Sequence, residues 1–219
     1  SSKEIIFTQS LWNLYRGTPN ISMPHVLESV HMALEVYLLG LSDPPNKVPD
    51  WGKIKKLLWR ILETSKSASL YSIVASLSVA YPEELFDILM FLCQDVRLLY
   101  ADLQRYSHEL TANSNSIAFH RHEMWWRERE ESNKLPHRQQ HLETRLLQSQ
   151  YIYDNTEGED AKERLIKAYK IADELKKQAE EWEAEDYSYG FLKQRIDYRS
   201  YEKNEVTLED GTTAIQLTP

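Results

Sequence analysis

Apolar residues recur through most of this chain at intervals of three and four, the spacing that places side chains on one face of an α-helix. The clearest run comprises Ile54, Leu57, Leu58, Ile61 and Leu62. Asp50 precedes that run and can cap the helix, because its side chain can accept from free backbone N–H groups of the first turn. The chain also has only six glycines, whereas dinucleotide-binding and P-loop folds need clustered glycines. We therefore expect an all-α protein.

Prolines divide the first half of the chain into short helices. One apolar stripe, which we expect to face the core, comprises Leu27, Val30, Leu34, Leu38 and Leu41. A later helix carries an apolar stripe from Leu70 to Tyr81 and an opposite face of serines, which would let a neighbouring helix approach closely. Residues 85–93 are apolar on nearly every side and should be the most buried segment. Residues 22–93 thus predict four short helices stacked in a solenoid-like bundle.

The second half predicts longer helices and a small β-hairpin. A seam with alternating steps of three and four comprises Leu165, Ala168, Ala172, Leu175, Ala179 and Trp182. It indicates a long antiparallel α-hairpin. Asp210-Gly211 is typical of a two-residue hairpin turn and would pair Val206 with Ile215. We expect a helical bundle over residues 1–110, a long-helix segment over 111–197 and a β-hairpin tail over 198–219.

Composition excludes several classes of function. The net charge is −8, which argues against binding of nucleic acid driven by bulk charge. The single cysteine, Cys93, lies in an apolar run, which fits a buried residue in a reducing cytoplasm. No secretory signal and no apolar run of membrane-spanning length is found. The chain does not begin with Met, and we expect it to be a piece of a longer cytoplasmic polypeptide.

Residues 133–147 contain the most informative motif. Pro136 can open a helix, because a first-turn residue has no use for its N–H. His137 and His141 would then lie at i, i+4 on one helical face, a spacing that suits either a metal or a packed polar joint. His120 and His122 are further nitrogen donors, but residues two apart on a helix point to different sides. We favour the joint and expect no metal and no cofactor in this chain.

Aromatic residues of the C-terminal half are candidates for protein contact. Trp125 and Trp126 stand among arginines, but interleaved glutamates cancel the positive field that nucleic acid would need. Tyr187 and Tyr189 belong to a tyrosine-rich tail, which suits either an interface or packing beside an apolar face.

Several segments resemble the helical region of very large bacterial predicted ATP-binding proteins, which are similar to STAND-type NTPases and some of which are implicated in phage defence. The matching segments are residues 31–39, 61–69, 74–82, 135–143 and 195–199. The resemblance implies a cytoplasmic, multidomain NTPase whose helical part senses a ligand or transmits a conformational change. It implies no nucleotide-binding residue in this chain. It marks a set of special positions, namely Pro136, His137, Arg138, His141 and Glu143.

We therefore expect a non-catalytic helical sensor or scaffold module of a larger NTPase. Its partners would be the remaining domains of that parent or another protein, with no membrane involved. Two alternatives stay open. One is a metal-dependent hydrolase that uses His137 and His141, and the other is a protein–protein adaptor.

Overall fold

The computed structural model describes residues 5–16, 25–114, 131–184, 186–207 and 213–218. These ranges are mostly helical, which confirms the all-α prediction. The helices are α1 Gln9–Trp12, α2 His25–Ser42, α3 Trp51–Thr64, α4 Ala68–Ala80, α5 Phe86–Leu92, α6 Val96–Ser114, α7 Leu142–Asp154, α8 Glu159–Glu183 and α9 Ser188–Arg195. Single 3-10 turns cover Leu14–Arg16, Pro136–Gln139 and Tyr198–Ser200. No helix within the described ranges is long and apolar enough to cross a membrane.

The C-terminal hairpin forms, but in a different register from the predicted one. Strands β1 Glu202–Thr207 and β2 Thr213–Thr218 pair antiparallel, with Thr207 opposite Thr213 and Val206 opposite Ala214. Ile215 therefore lies opposite Glu205 rather than Val206, so the predicted register is wrong by one residue. The observed register leaves five residues between the last pair instead of two. The turn itself lies outside the described residues.

The chain divides into two compact units. The first comprises Ser1–Leu92 and Arg97–Leu142, and the second comprises Cys93–Val96 and Glu143–Pro219. The main division therefore falls at residue 142 rather than at residue 110, and the β-hairpin belongs to the second unit. The reason is that α6 and residues 131–142 hold their buried partners in the first unit.

Helix α4 is the most enclosed element of the first unit, with eleven of its thirteen residues buried. Its serine face meets α2, where Ser69 contacts His31 and Ser76 contacts Glu35. Helix α3 is amphipathic, with Ile54, Leu58 and Leu62 buried. The predicted N-cap is confirmed, because the Asp50 side chain accepts from Lys53 N–H at 3.0 Å.

Helix α2 is rotated about its axis relative to the predicted orientation. Of the expected core stripe only Leu38 is buried, whereas Val30 is 57% exposed. The inward positions are instead Glu28, His31, Glu35, Leu38 and Ser42, which recur at intervals of three and four. His31 and Glu35 face inward because they form buried hydrogen bonds there. The partner of His31 is Ser69 of α4, and a partner of Glu35 is Arg138, in the segment that precedes α7.

The segment after Pro136 is not one continuous helix, so His137 and His141 do not share a helical face. Residues Pro136–Gln139 form a 3-10 turn, and Gln140 is extended with φ −130° and ψ 161°. Helix α7 begins only at Leu142. Two buried side chains of α6 stabilise the interruption between the 3-10 turn and α7. Arg105 donates to the Gln140 carbonyl at 2.8 Å, and Asp102 accepts from Leu142 N–H at 2.9 Å.

In the second unit the middle of the predicted α8 seam is buried, while its first and last residues, Leu165 and Trp182, are half-buried. Ala168, Ala172, Leu175 and Ala179 have almost no exposed surface. Helices α7 and α8 are joined by a short turn that ends at Gly158, whose φ of 122° favours glycine. Beside that turn, Arg164 donates to the Tyr153 hydroxyl at 2.9 Å.

Candidate functional site

One face of α6 presents three charged residues to the interior of the first unit. Asp102, Arg105 and Glu109 follow each other at i, i+3 and i+7, so they share a helical face. Arg105 Nε lies 2.7 Å from Asp102 Oδ1, and Arg105 Nη1 lies 2.8 Å from Glu109 Oε2. All three residues are at most 5% exposed. Arg105 is therefore held between two carboxylates of its own helix.

Arg16 extends this group toward the N-terminal segment. Its Nε donates to Glu109 Oε1, and its Nη2 donates to the side-chain oxygen of Asn133. Its Nη1 lies 3.3 Å from Ser132 Oγ. Trp12 adds its indole N–H to Asp102 Oδ1 at 3.3 Å. Trp12 and Arg16 of the N-terminal segment thereby bind α6 directly, and Asn133 is linked to α6 through Arg16.

Arg138, one of the positions marked from the sequence, forms the second part of the cluster. Its Nη2 donates to Glu35 Oε2, and Ser76 donates to Glu35 Oε1. Its guanidinium carbon lies 5.2 Å from the centre of the Tyr15 ring, a cation–π distance. Within the part of the chain that the structure describes, Nε and Nη1 of Arg138 have no hydrogen-bond acceptor. We call Arg16, Glu35, Asp102, Arg105, Glu109 and Arg138 the buried ion-pair network.

The carboxylates of this network are buried, and all of them are held by donors of the protein. Every one of their six oxygens accepts at least one hydrogen bond from Arg16, Arg105, Arg138, Ser76, Trp12 or Leu142. Burial alone would raise the pKa of Asp102, but Arg105 and the Leu142 N–H hold it below its ordinary value. Burial also raises the pKa of the Tyr15 phenol. The arrangement suits a fixed polar core better than a general acid or base.

The five positions marked from the sequence have different surroundings. Pro136 is exposed and opens the 3-10 turn, while His137 is half-buried. His141 is buried with its ring centre 5.0 Å from that of Tyr106. Glu143 belongs to the second unit, where it pairs with Arg195 at 2.7 Å and 3.2 Å. The structure therefore brings Arg138 and His141 into the interior of the first unit and does not bring Glu143 or Pro136 there.

A second polar cluster lies in the second unit, around Asp197. This carboxylate is 2% exposed and accepts from Lys176 and from Arg199. Arg199 also pairs with Asp173 and lies 4.5 Å over the Tyr169 ring. Burial would raise the pKa of Asp197, but Arg199 and Lys176 hold it at about 2. This cluster fastens the segment after α9 to α8.

Gln150 of α7 fastens the same segment from another side. Its amide donates to the Ile196 carbonyl at 2.9 Å, and its carbonyl oxygen accepts from Tyr198 N–H at 2.8 Å. Residues 195–199, one of the segments that carry the resemblance, are therefore bound on both sides by buried polar side chains.

The proposed interaction residues differ in exposure. Tyr189 is buried beside Trp182, with ring centres 6.1 Å apart. Tyr187 is 76% exposed and makes an edge contact with Phe191, which is 55% exposed. Trp125 and Trp126 lie outside the described residues.

Metal ligands are not grouped in the described part of the chain. Among its residues, no three His, Cys, Asp or Glu side chains are close enough to hold an ion. His120 and His122 lie outside those residues. Cys93 is fully buried and, as the single cysteine of the sequence, forms no disulfide within the chain.

Sequence reasoning missed most of the buried ion-pair network. A usable signal was present in α2, where Glu28, His31 and Glu35 form a polar stripe of helical period inside an apolar helix. A second signal was the i, i+3, i+7 spacing on α6 described above. Arg16 gives no such signal, because its partners are 93 and 117 residues away.

The comparisons with known proteins add no relative. No protein-family model matches the sequence, and no curated protein matches it.

Proposed function

We propose that this chain is a non-catalytic helical module, a scaffold or lever, within a larger cytoplasmic NTPase. Residues 131–142 would act as its joint. The observation that carries the proposal is the buried ion-pair network, in which Arg138 and Arg16 tie the joint and the N-terminal segment to α2 and α6. A buried pair of this kind favours one arrangement of its elements over others, because each alternative leaves a charge without a partner.

The burial of the carboxylates and their hydrogen bonds to the protein support a structural role. A catalytic carboxylate must present an oxygen to substrate or water, and each oxygen in this network already accepts a hydrogen bond from protein. Assignment to a larger NTPase rests on the resemblance of the segments named above. Two of those segments, residues 135–143 and 195–199, carry Arg138 and Asp197.

The proposal is tested by hydrogen–deuterium exchange on an Arg138→Gln variant. Loss of the guanidinium leaves Glu35 buried without its cation, which should cost about 3 kcal/mol of unfolding free energy. If the joint couples the elements it contacts, exchange should rise together in α2, in α6 and over residues 132–142.

Lys134→Ala is the control, because Lys134 is exposed in the same segment. It should leave exchange in α2 and α6 unchanged. A rise confined to the few residues around position 138 in the Arg138→Gln variant would contradict the joint. An Arg138→Met/Glu35→Met double variant should recover most of the lost stability, because it removes both charges.

The alternative of metal-dependent hydrolysis rests on the i, i+4 spacing in the sequence that would place His137 and His141 on one helical face. The extended backbone at Gln140 separates them. Metal analysis of the purified protein distinguishes the two functions. Stoichiometric metal that is lost in a His137→Ala/His141→Ala variant would favour the hydrolase, and a metal-free protein that this variant destabilises would favour the module.

A second candidate function, a protein–protein adaptor, has the exposed Tyr187–Phe191 ring pair in its favour. Exposed aromatic side chains contribute strongly to protein interfaces. A Tyr187→Ala/Phe191→Ala variant that no longer retains the remaining parent chain in a pull-down, while an Ile166→Ala variant does retain it, would favour the adaptor.

A further inference from the structure

The outward face of α2 carries no charge. Between Val26 and Leu41 every exposed residue of this helix is uncharged, and most are apolar. The large ones are Val26, Leu27, Val30, Met32, Val36, Tyr37 and Leu41. Val26 is 78% exposed and Val36 is 68% exposed. A surface helix normally has the reverse arrangement, with its charges toward water, so this face is built to be covered.

Gly40 points to a close neighbour on that face. Among the residues that the structure describes, a Cβ added at Gly40 would meet nothing within 4 Å, so their packing does not require a glycine there. Glycine nevertheless weakens a helix relative to alanine. Ser29, Ala33, Val36 and Gly40 follow each other at steps of four, three and four, so they form one stripe of small side chains on the exposed face. Such a stripe allows two helices to approach closely.

The size of the face fits a dimer of this chain. Its exposed apolar side chains offer on the order of 600 Å² per copy, so two copies would bury about 1,200 Å², which is the lower end of specific interfaces. The absence of charge favours a second copy in particular. In a two-fold symmetric interface the same surface patch meets itself, and any charge in it would face a like charge. A charged partner would find nothing on this face to pair with.

We propose that α2 is the contact surface of a homodimer, in which the α2 helices of two copies pack antiparallel. With the two-fold axis between residues 34 and 35, Ala33 faces Val36 of the second copy and Ser29 faces Gly40 of the second copy. Val30 lies beside Tyr37 of the second copy on one flank. Antiparallel packing also sets the two helix dipoles in a favourable orientation. This inference is independent of the proposed NTPase module, because it uses only the outer face of α2.

The test is the molar mass of the whole chain in solution, measured by sedimentation from about 1 to 100 μM. The wild-type chain should form a dimer in this range. Val36→Glu should raise the dissociation constant at least about tenfold, because it buries an unpaired charge at the axis. Ala33→Lys by itself should also raise the dissociation constant. An equal mixture of the Val36→Glu and Ala33→Lys chains should dimerise again, because the introduced Glu and Lys then face each other.

Ile166→Glu is the matched control, since Ile166 is also 68% exposed but lies on α8. It should leave the dissociation constant unchanged, and circular dichroism should show the same helix content in every variant. Orientation is tested by mixing a Ser29→Cys chain with a Gly40→Cys chain under oxidation. A cross-link between the two species supports the antiparallel pair, because the buried Cys93 cannot form it. A wild-type chain that stays monomeric throughout, or a dimer that Val36→Glu does not weaken, overturns the proposal.

Discussion

Buried carboxylates such as Asp102 and Asp197 are tolerated in this protein because several donors surround them. Asp197 illustrates the arrangement, with a lysine from α8 and an arginine two residues along the chain. The neighbours stabilise its ionised form more than burial disfavours it, so its pKa falls. Such a carboxylate makes stability depend on pH, because the unfolded chain binds a proton more readily than the folded one.

Replacement of Asp197 by asparagine should therefore have an effect that depends on pH. The native pKa of about 2 lies below the unfolded value. The contribution is thus fully present above about pH 4 and is lost as the pH falls toward the native pKa. At neutral pH Asp197→Asn should lower the unfolding free energy by about 2 kcal/mol. Urea unfolding of both proteins at several pH values measures this difference.

Asp173→Asn serves as the comparison, because Asp173 pairs with the same arginine but its side chain is 50% exposed. It should change stability by less than about 1 kcal/mol. A difference between wild type and Asp197→Asn that stays constant down to pH 2 would contradict the assignment.

At the scale of elements, helices with an apolar stripe on their buried face were predictable. The seam of α8 and the buried face of α3 follow from periodicity, because burial of apolar side chains orients these helices. Periodicity oriented α2 wrongly, because its inward face is decided by partners such as Arg138, which is distant in sequence. Pro136 opens a 3-10 turn instead of the predicted helix, because Arg105 and Asp102 of α6 form hydrogen bonds with Gln140 and Leu142 that local sequence does not encode.

Two glycines should respond in opposite ways to alanine. Gly158 has a φ of 122°, which a side chain disfavours, so Gly158→Ala should destabilise by about 1–3 kcal/mol. Gly40 lies inside α2 with open space around it, so Gly40→Ala should stabilise by up to about 1 kcal/mol. Unfolding should be measured in a Val36→Glu background, so that association does not contribute. Equal effects of the two substitutions would contradict these backbone assignments.

The whole molecule has two compact units, each with its own buried polar cluster. The first unit depends on the buried ion-pair network, and the second depends on Asp197. Units with separate cores can unfold separately.

Differential scanning calorimetry should therefore resolve two transitions. Arg138→Gln should lower the temperature of one transition, and Asp197→Asn should lower that of the other, because each substitution removes an ion-pair partner from one unit only. Proteolysis followed by mass spectrometry assigns each transition to its residues. A single transition that both substitutions lower equally would mean that the chain unfolds as one cooperative body.

The long sequence separation within the buried ion-pair network has a consequence for synthesis. Glu35 meets Arg138 across 103 residues, and Arg16 meets Asn133 across 117 residues. When a nascent chain has emerged only as far as α6, α2 and α4 are present, but Arg138, the cation that pairs with Glu35 of α2, is not yet available. The first unit therefore completes its folding late, after residue 138 has left the ribosome. Until then the charged side chains of Glu35 and Arg16 stay in contact with water.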